Sequence, residues 1–216
     1  MNDVPPKALI FDWDNTLVDS WGCILEALNI ALCHMGHDPW TQEDMHSKVS
    51  LSLRDNFPIL FGNRWEEARD VYYEAFKAIH LTRLKPLEGM AEMLARLQGR
   101  GLRMSVVSNK NGDYLRAEAR HLGWDGYFHR LVGATDAPKD KPAIEPVHMA
   151  LEGTGIEPGP GVWFVGDAVV DMECAQAAGC VPVLLRAQPP RKDEFSCFSY
   201  RHHFPSAQAF LSGLGQ

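Results

Sequence analysis

No apolar run in this sequence approaches the ~18 residues needed to cross a bilayer, so no membrane span is expected. The opening, MNDVPPKALIFDWD, lacks a charged stretch followed by a long apolar one, and no signal peptide is expected. Cysteine is sparse. Cys23, Cys33, Cys174, Cys180 and Cys197 are an odd number, widely spaced, with no CxxC. That argues against a disulfide framework and fits reduced thiols in a cytoplasmic protein. Positive charge is also in deficit, with 21 Lys and Arg against 28 Asp and Glu and a net charge of −7. Neither nucleic acid nor an anionic membrane surface is an expected partner. There is no internal repeat and no low-complexity tract, and nothing in the pattern fixes an oligomeric state.

What is present is a soluble-protein composition over 216 residues, 45% hydrophobic and 23% charged. Four short apolar segments read as buried parallel strands: Ala8–Phe11, Met104–Val107, Val162–Val165 and Val181–Leu185. Segments of helical period lie near them, at Met90–Gln98, Asp113–Leu122, Glu145–Glu152 and Asp171–Ala178. This alternation predicts an α/β fold, a Rossmann-like open parallel sheet with helices on both faces. The stretch from Ser20 to Leu84 breaks the rhythm. Gly22–Met35, Thr41–Val49, Leu53–Phe61 and Trp65–Leu81 all read as helices, with no strand among them. An inserted helical unit over 19–85 is expected, with 1–18 and 86–216 forming the α/β core. Arg186–Arg201, with Pro189-Pro190 and mixed charge, reads as an irregular excursion.

Three of the four expected strands end in polar groups. The first runs into Asp12-Trp13-Asp14-Asn15-Thr16, the second into Ser108-Asn109-Lys110, and the third into Gly166-Asp167 with Asp171 beyond. In open α/β sheets the ligand crevice lies at the carboxyl ends of the strands, so these groups are expected to converge. Four carboxylates in one cleft repel strongly unless a cation joins them. Mg²⁺ suits such a set, because it takes oxygen ligands and leaves coordination sites for waters and a phosphate. Lys141 is the expected cationic partner, with Lys139 a weaker competitor.

With these residues placed, the sequence resembles the haloacid dehalogenase-like hydrolase superfamily. FDWDNTLVDS is similar to its DxDx[TV] motif, VVSNK to the second motif, Lys141 in KPAIEP to the third, and VGDAVVDMECAQAAG to the fourth. The helical block resembles the cap of the phosphoglycolate phosphatase and β-phosphoglucomutase branch. The resemblance implies a phosphatase in which Asp12 is the nucleophile and Asp14 the acid and base. It implies Mg²⁺ on Asp12, Asp14 through its backbone carbonyl, and Asp167, with Asp171 supporting the metal and its waters, or Lys141. Ser108 and the Asn109 backbone would hold phosphoryl oxygens, and Thr16 would fix the loop. Asp14 argues against a dehalogenase, since halide needs no acid. A phosphonatase would want a cap lysine, and Lys48 and Lys77 read as solvated. A phosphosugar mutase and a catalytically silent binding protein remain alternatives.

Two departures stand out. Asn15 occupies a position where the family most often has glycine, and Ala168 one where it often has serine. Asparagine tolerates left-handed backbone, so the turn is expected to survive. The substrate is expected to be a small phosphorylated metabolite, phosphoglycolate first among those the resemblance implies. Arg54 is the expected cap residue for a second anionic group, Trp21 a candidate wall of the site, and Trp65, Tyr72, Tyr73 and Phe76 candidate cap core.

Overall fold

The computed structural model describes residues 5–48 and 52–214, without the side chains of 46–48. The end of the expected Thr41–Val49 helix, Ser50-Leu51 and the Lys48 side chain lie outside that range. In chain order the elements are β1 (Ala8–Phe11), β2 (Val18–Asp19), α1 (Trp21–His34), α2 (Gln42–Lys48), α3 (Leu53–Phe61), α4 (Trp65–Arg83), β3 (Lys85–Pro86) and α5 (Met90–Gly99). Then follow β4 (Arg103–Asn111), α6 (Gly112–His121), β5 (Leu131–Ala134), α7 (Glu145–Leu151), β6 (Val162–Gly166), α8 (Val169–Ala177), β7 (Val181–Leu185), β8 (His202–Phe204) and α9 (Ala207–Gly213).

Six strands pair in the order β5-β4-β1-β6-β7-β8, and every pairing is parallel. The central strand, β1, is wholly buried, which its uninterrupted ALIF requires. Alternate residues serve opposite layers. Leu9 and Phe11 pack in one core with α5 and α9, while Ala8 and Ile10 pack in another with α7 and α8. Large side chains such as Phe11, Phe164 and Phe210 are fully buried, each contributing about 1.5–3 kcal/mol by leaving water.

Besides the two-residue β2 and β3, two strands of the six-stranded sheet and a helix exceed the expectation from sequence. β5 is four residues long and interrupted by Gly133, too short for a periodic signal. β8 reads His-His-Phe, with no alternation of polarity. α9 is seven residues long and is capped by Ser206, whose hydroxyl accepts from the Ala209 N–H at 3.2 Å. The 186–201 stretch is irregular, yet it is anchored. Phe195 is buried against Met172 and Leu184, and Arg186 pairs with Glu194 at 2.7 Å.

Helices α1, α3 and α4 share an apolar cluster of their own that includes Leu28, Leu32, Phe57, Tyr72 and Phe76. The chain leaves and rejoins the sheet side by side. β2 and β3 run antiparallel, Val18 opposite Pro86 and Asp19 opposite Lys85. The helical block therefore hangs from two adjacent strands directly after the loop that follows β1. Among the described residues no helix is long and apolar enough to cross a membrane.

Candidate active site

β1 delivers Asp12 one residue past its buried end, and the Asp12 N–H donates to the Val165 carbonyl of β6 at 2.8 Å. The chain then turns sharply. Asn15 adopts φ 62°, so the residue in the glycine position does take left-handed backbone. Its side-chain oxygen accepts from the Ser20 N–H at 3.2 Å, a contact glycine would not provide. β6 supplies the next carboxylates through Gly166. A Cβ there would sit 2.3 Å from the Asp171 carboxylate, so glycine is what lets Asp171 approach.

Lys141 lies at the centre. Its Nζ donates to Asp12 Oδ1 at 2.6 Å and to Asp171 Oδ1 at 2.7 Å. Asp171 Oδ2 accepts from the Ala168 N–H at 3.0 Å, so the backbone makes the contact at the departed serine position. The Thr16 hydroxyl lies 3.4 Å from Asp12 Oδ2 and 3.2 Å from Asp167 Oδ1, tying β1 to β6. Ser108 is buried beside them and lines the same cavity. The Asn109 side chain has work of its own: it donates to the Lys141 carbonyl at 3.1 Å and accepts from the Lys141 N–H at 3.0 Å. That clamp fixes the backbone carrying Lys141.

A second lysine serves Asp14. Lys110 Nζ lies 2.6 Å from Asp14 Oδ1 and 2.9 and 2.7 Å from the two oxygens of Glu118. Glu118 also accepts from the Trp13 indole at 2.7 Å and lies 2.9 Å from His80 Nδ1 on α4. This buried network joins the β1 loop, β4 and α6 to the helical block. Sequence reasoning missed it, although a signal was present: Glu118 falls on the buried stripe of α6 with Leu115 and Ala119.

The charges do not balance. With every group ionised, Asp12, Asp14, Glu118, Asp167 and Asp171 meet Lys110 and Lys141 with a formal excess of three negative charges. Burial pushes Asp12 up to about 7 against the pull of Lys141, with Asp171 and Asp14 adding to the rise. Burial, Asp171 and Asp12 hold Asp167 well above the usual carboxylate range. Burial works against a charged Lys110, but Asp14 and Glu118 outweigh it. Asp12, Asp167 and Asp171 each offer a carboxylate oxygen within 4.8 Å of the others. An oxygen-only donor set with surplus negative charge fits a hard divalent cation.

The remaining sequence candidates separate cleanly. Trp21 lines the cavity with the motif residues. Tyr72, Tyr73 and Phe76 belong to the packing of the helical block and also line the cavity, which extends the role expected from sequence. Trp65 stays in that packing. Lys139 points away, 3.6 Å from Glu145 and exposed. Arg54 is not brought into the cavity. Its guanidinium lies 2.8 Å from the buried Asp140, in a separate pocket with Pro138 and Lys139.

The profile of the haloacid dehalogenase-like hydrolase family matches residues 9–184. The chain belongs to this family. As a haloacid dehalogenase-like hydrolase it is similar to a phosphoglycolate phosphatase of Xylella fastidiosa (strain 9a5c), 30% identical over 178 residues, 81% of this chain and 77% of the relative. It is 27% identical over 179 residues to pyrophosphatase PpaX of Bacillus pumilus (strain SAFR-032), covering 83% and 82% of the two chains. A crystal structure assigned as a haloacid dehalogenase-like hydrolase from Bacteroides fragilis superposes with a TM-score of 0.85 at 22% identity, covering 93% and 97%. That last likeness speaks for the fold alone. The profile ends before the 186–201 stretch, yet Arg186 donates to the Asp167 carbonyl at 2.9 Å and so buttresses this enzyme's site.

Proposed function

We propose that this enzyme is a Mg²⁺-dependent phosphomonoester hydrolase that acts on a small phosphorylated metabolite through an aspartyl-phosphate on Asp12. The observation that carries this reading is the Asp12–Lys141–Asp171 arrangement beside Asp14 and Asp167, at the strand ends of a family hydrolase. Lys141 fixes one oxygen of Asp12, orienting the carboxylate for attack on phosphorus. Asp14 lines the same cavity and is steadied by Lys110, placed to give a proton to the leaving alcohol and to take one from water. Ser108, the Asn109 backbone and Lys141 hold the phosphoryl oxygens, and Thr16 holds the Asp12 loop to Asp167. Asp12, the Asp14 carbonyl and Asp167 would hold Mg²⁺, with Asp171 supporting them. When bound, the ion offsets the charge of carboxylates and phosphate. Residues 19–85 form the cap over this core of 1–18 and 86–216, a division supported by the adjacent β2 and β3 strands.

The test is phosphate release from p-nitrophenyl phosphate with Mg²⁺ or with chelator. Wild type should release phosphate only with Mg²⁺, and Asp12→Asn should lose about 10³-fold or more. Equal rates for wild type and Asp12→Asn, or for Mg²⁺ and chelator, would refute the mechanism.

A further inference from the structure

The cavity that holds Asp12 and Asp14 has a volume of about 190 Å³, and helices supply an apolar wall to it, with the Phe76 ring 5.1 Å from Lys110 Nζ. Leu28 of α1, Leu53 and Phe57 of α3, Tyr72 and Phe76 of α4, and Tyr114 of α6 form that wall. The rings make a continuous array. Phe57 meets Tyr72 edge-on at 5.6 Å, Tyr72 stacks on Phe76 at 5.7 Å, and Phe76 meets Tyr114 at 5.3 Å. Among the described residues only two cations reach the cavity, and both are committed. Lys141 is held by Asp12 and Asp171, and Lys110 by Asp14 and Glu118. Arg54, the arginine expected to meet a second anionic group, is held by Asp140 outside the cavity. Asn56 is the polar side chain that α3 contributes to the lining.

A carboxylate or second phosphate on the leaving alcohol would meet no uncommitted cation among the described residues, only neutral hydroxyls and amides such as those of Tyr72 and Asn56, which leaves its desolvation poorly offset. An uncharged, apolar or aromatic alcohol would exchange water for ring contacts. We propose that the enzyme selects phosphate monoesters whose alcohol portion is uncharged and apolar or aromatic, and discriminates against esters bearing a second anionic group, phosphoglycolate included. This rests on the phosphatase reading above and departs from the phosphoglycolate in the name of the Xylella fastidiosa relative.

The experiment compares kcat/KM for benzyl phosphate and for phosphoglycolate at saturating Mg²⁺, with p-nitrophenyl phosphate as the control for phosphatase chemistry. Benzyl phosphate should be favoured by roughly 100-fold. Leu53→Lys places a cation on the wall at a half-buried position and should narrow that ratio by at least about tenfold. Should the variant not fold, the wild-type ratio decides alone. Phosphoglycolate turned over as well as benzyl phosphate would overturn the proposal and leave the phosphatase reading standing. Hydrolysis of p-nitrophenyl phosphate without hydrolysis of benzyl phosphate would do the same. Silence on all three esters would overturn both.

Discussion

Near the carboxyl ends of β1, β4 and β6, four carboxylates and two lysines line one surface of a cavity. On the same cavity α1, α3 and α4 present a second surface of rings and branched aliphatic side chains. The first surface is nearly all charge, held by ion pairs between residues far apart in sequence, such as Lys141 with Asp12 and Asp171. The second is held by packing, and it offers a bound molecule shape and dryness in place of charge. In the proposed reading the phosphoryl group meets the first surface and the alcohol portion faces the second. Chemistry and selection would then fall to different parts of the chain, with Glu118 as their joint, touching Lys110 on one side and His80 on the other.

Breaking the charged end should have the largest effect. Lys141→Met leaves Asp12 and Asp171 buried without their cation. Activity on every ester should fall about 10³-fold, and urea denaturation should show a loss of about 3–5 kcal/mol. Cutting the joint comes next. Glu118→Ala strips Lys110, His80 and Trp13 of a shared partner, and denaturation should show a loss of about 3 kcal/mol. A loss below about 1 kcal/mol would mean that the two parts are not coupled through this network.

Changing pH probes the charged end without mutation. The unfolded chain releases the Asp12 proton near 3.8, whereas the folded chain keeps it to about 7. Between those values the folded state binds more protons, so stability of the metal-free protein should fall as pH rises through that window. Mg²⁺ bound at the proposed site would replace those protons. The rise in Tm on adding Mg²⁺ should therefore be larger at about pH 8 than at about pH 5. The smallest effect on activity is expected from Arg54→Ala, which removes the half-exposed partner of the buried Asp140 outside the cavity. It should leave kcat/KM within about twofold while lowering stability by about 2–3 kcal/mol, because the Asp140 carboxylate keeps only the Thr135 N–H among its described partners. A large drop in activity would place Arg54 in substrate binding after all.

Legibility in the sequence follows the same divide. Asp12, Asp14, Ser108, Lys141, Asp167 and Asp171 are readable because most follow a buried strand at a short offset, and sheet topology brings strand ends together. The structure places all six on the one cavity. The helices of the block are also readable, since their apolar period is strong. Which helix faces look into the cavity is not, because Tyr72 and Phe76 are spaced as any packed pair four residues apart would be. Arg54 misleads for the opposite reason. A charge near a cap loop looks available until its partner, Asp140, arrives from a segment far along the chain. Asn109 is legible for its backbone, while its side chain's clamp on Lys141 depends on two loops meeting.

The claim that the strand ends do the chemistry whatever the helices admit has one direct test. The enzyme is acid-quenched during turnover of two esters with different alcohol portions, and the phosphoryl group is mapped by mass spectrometry. The expected result is the same covalent label for both esters, on the Asp12 carboxylate. Phosphate release from either ester with no label on Asp12, and with Asp12→Asn still active, would contradict the account.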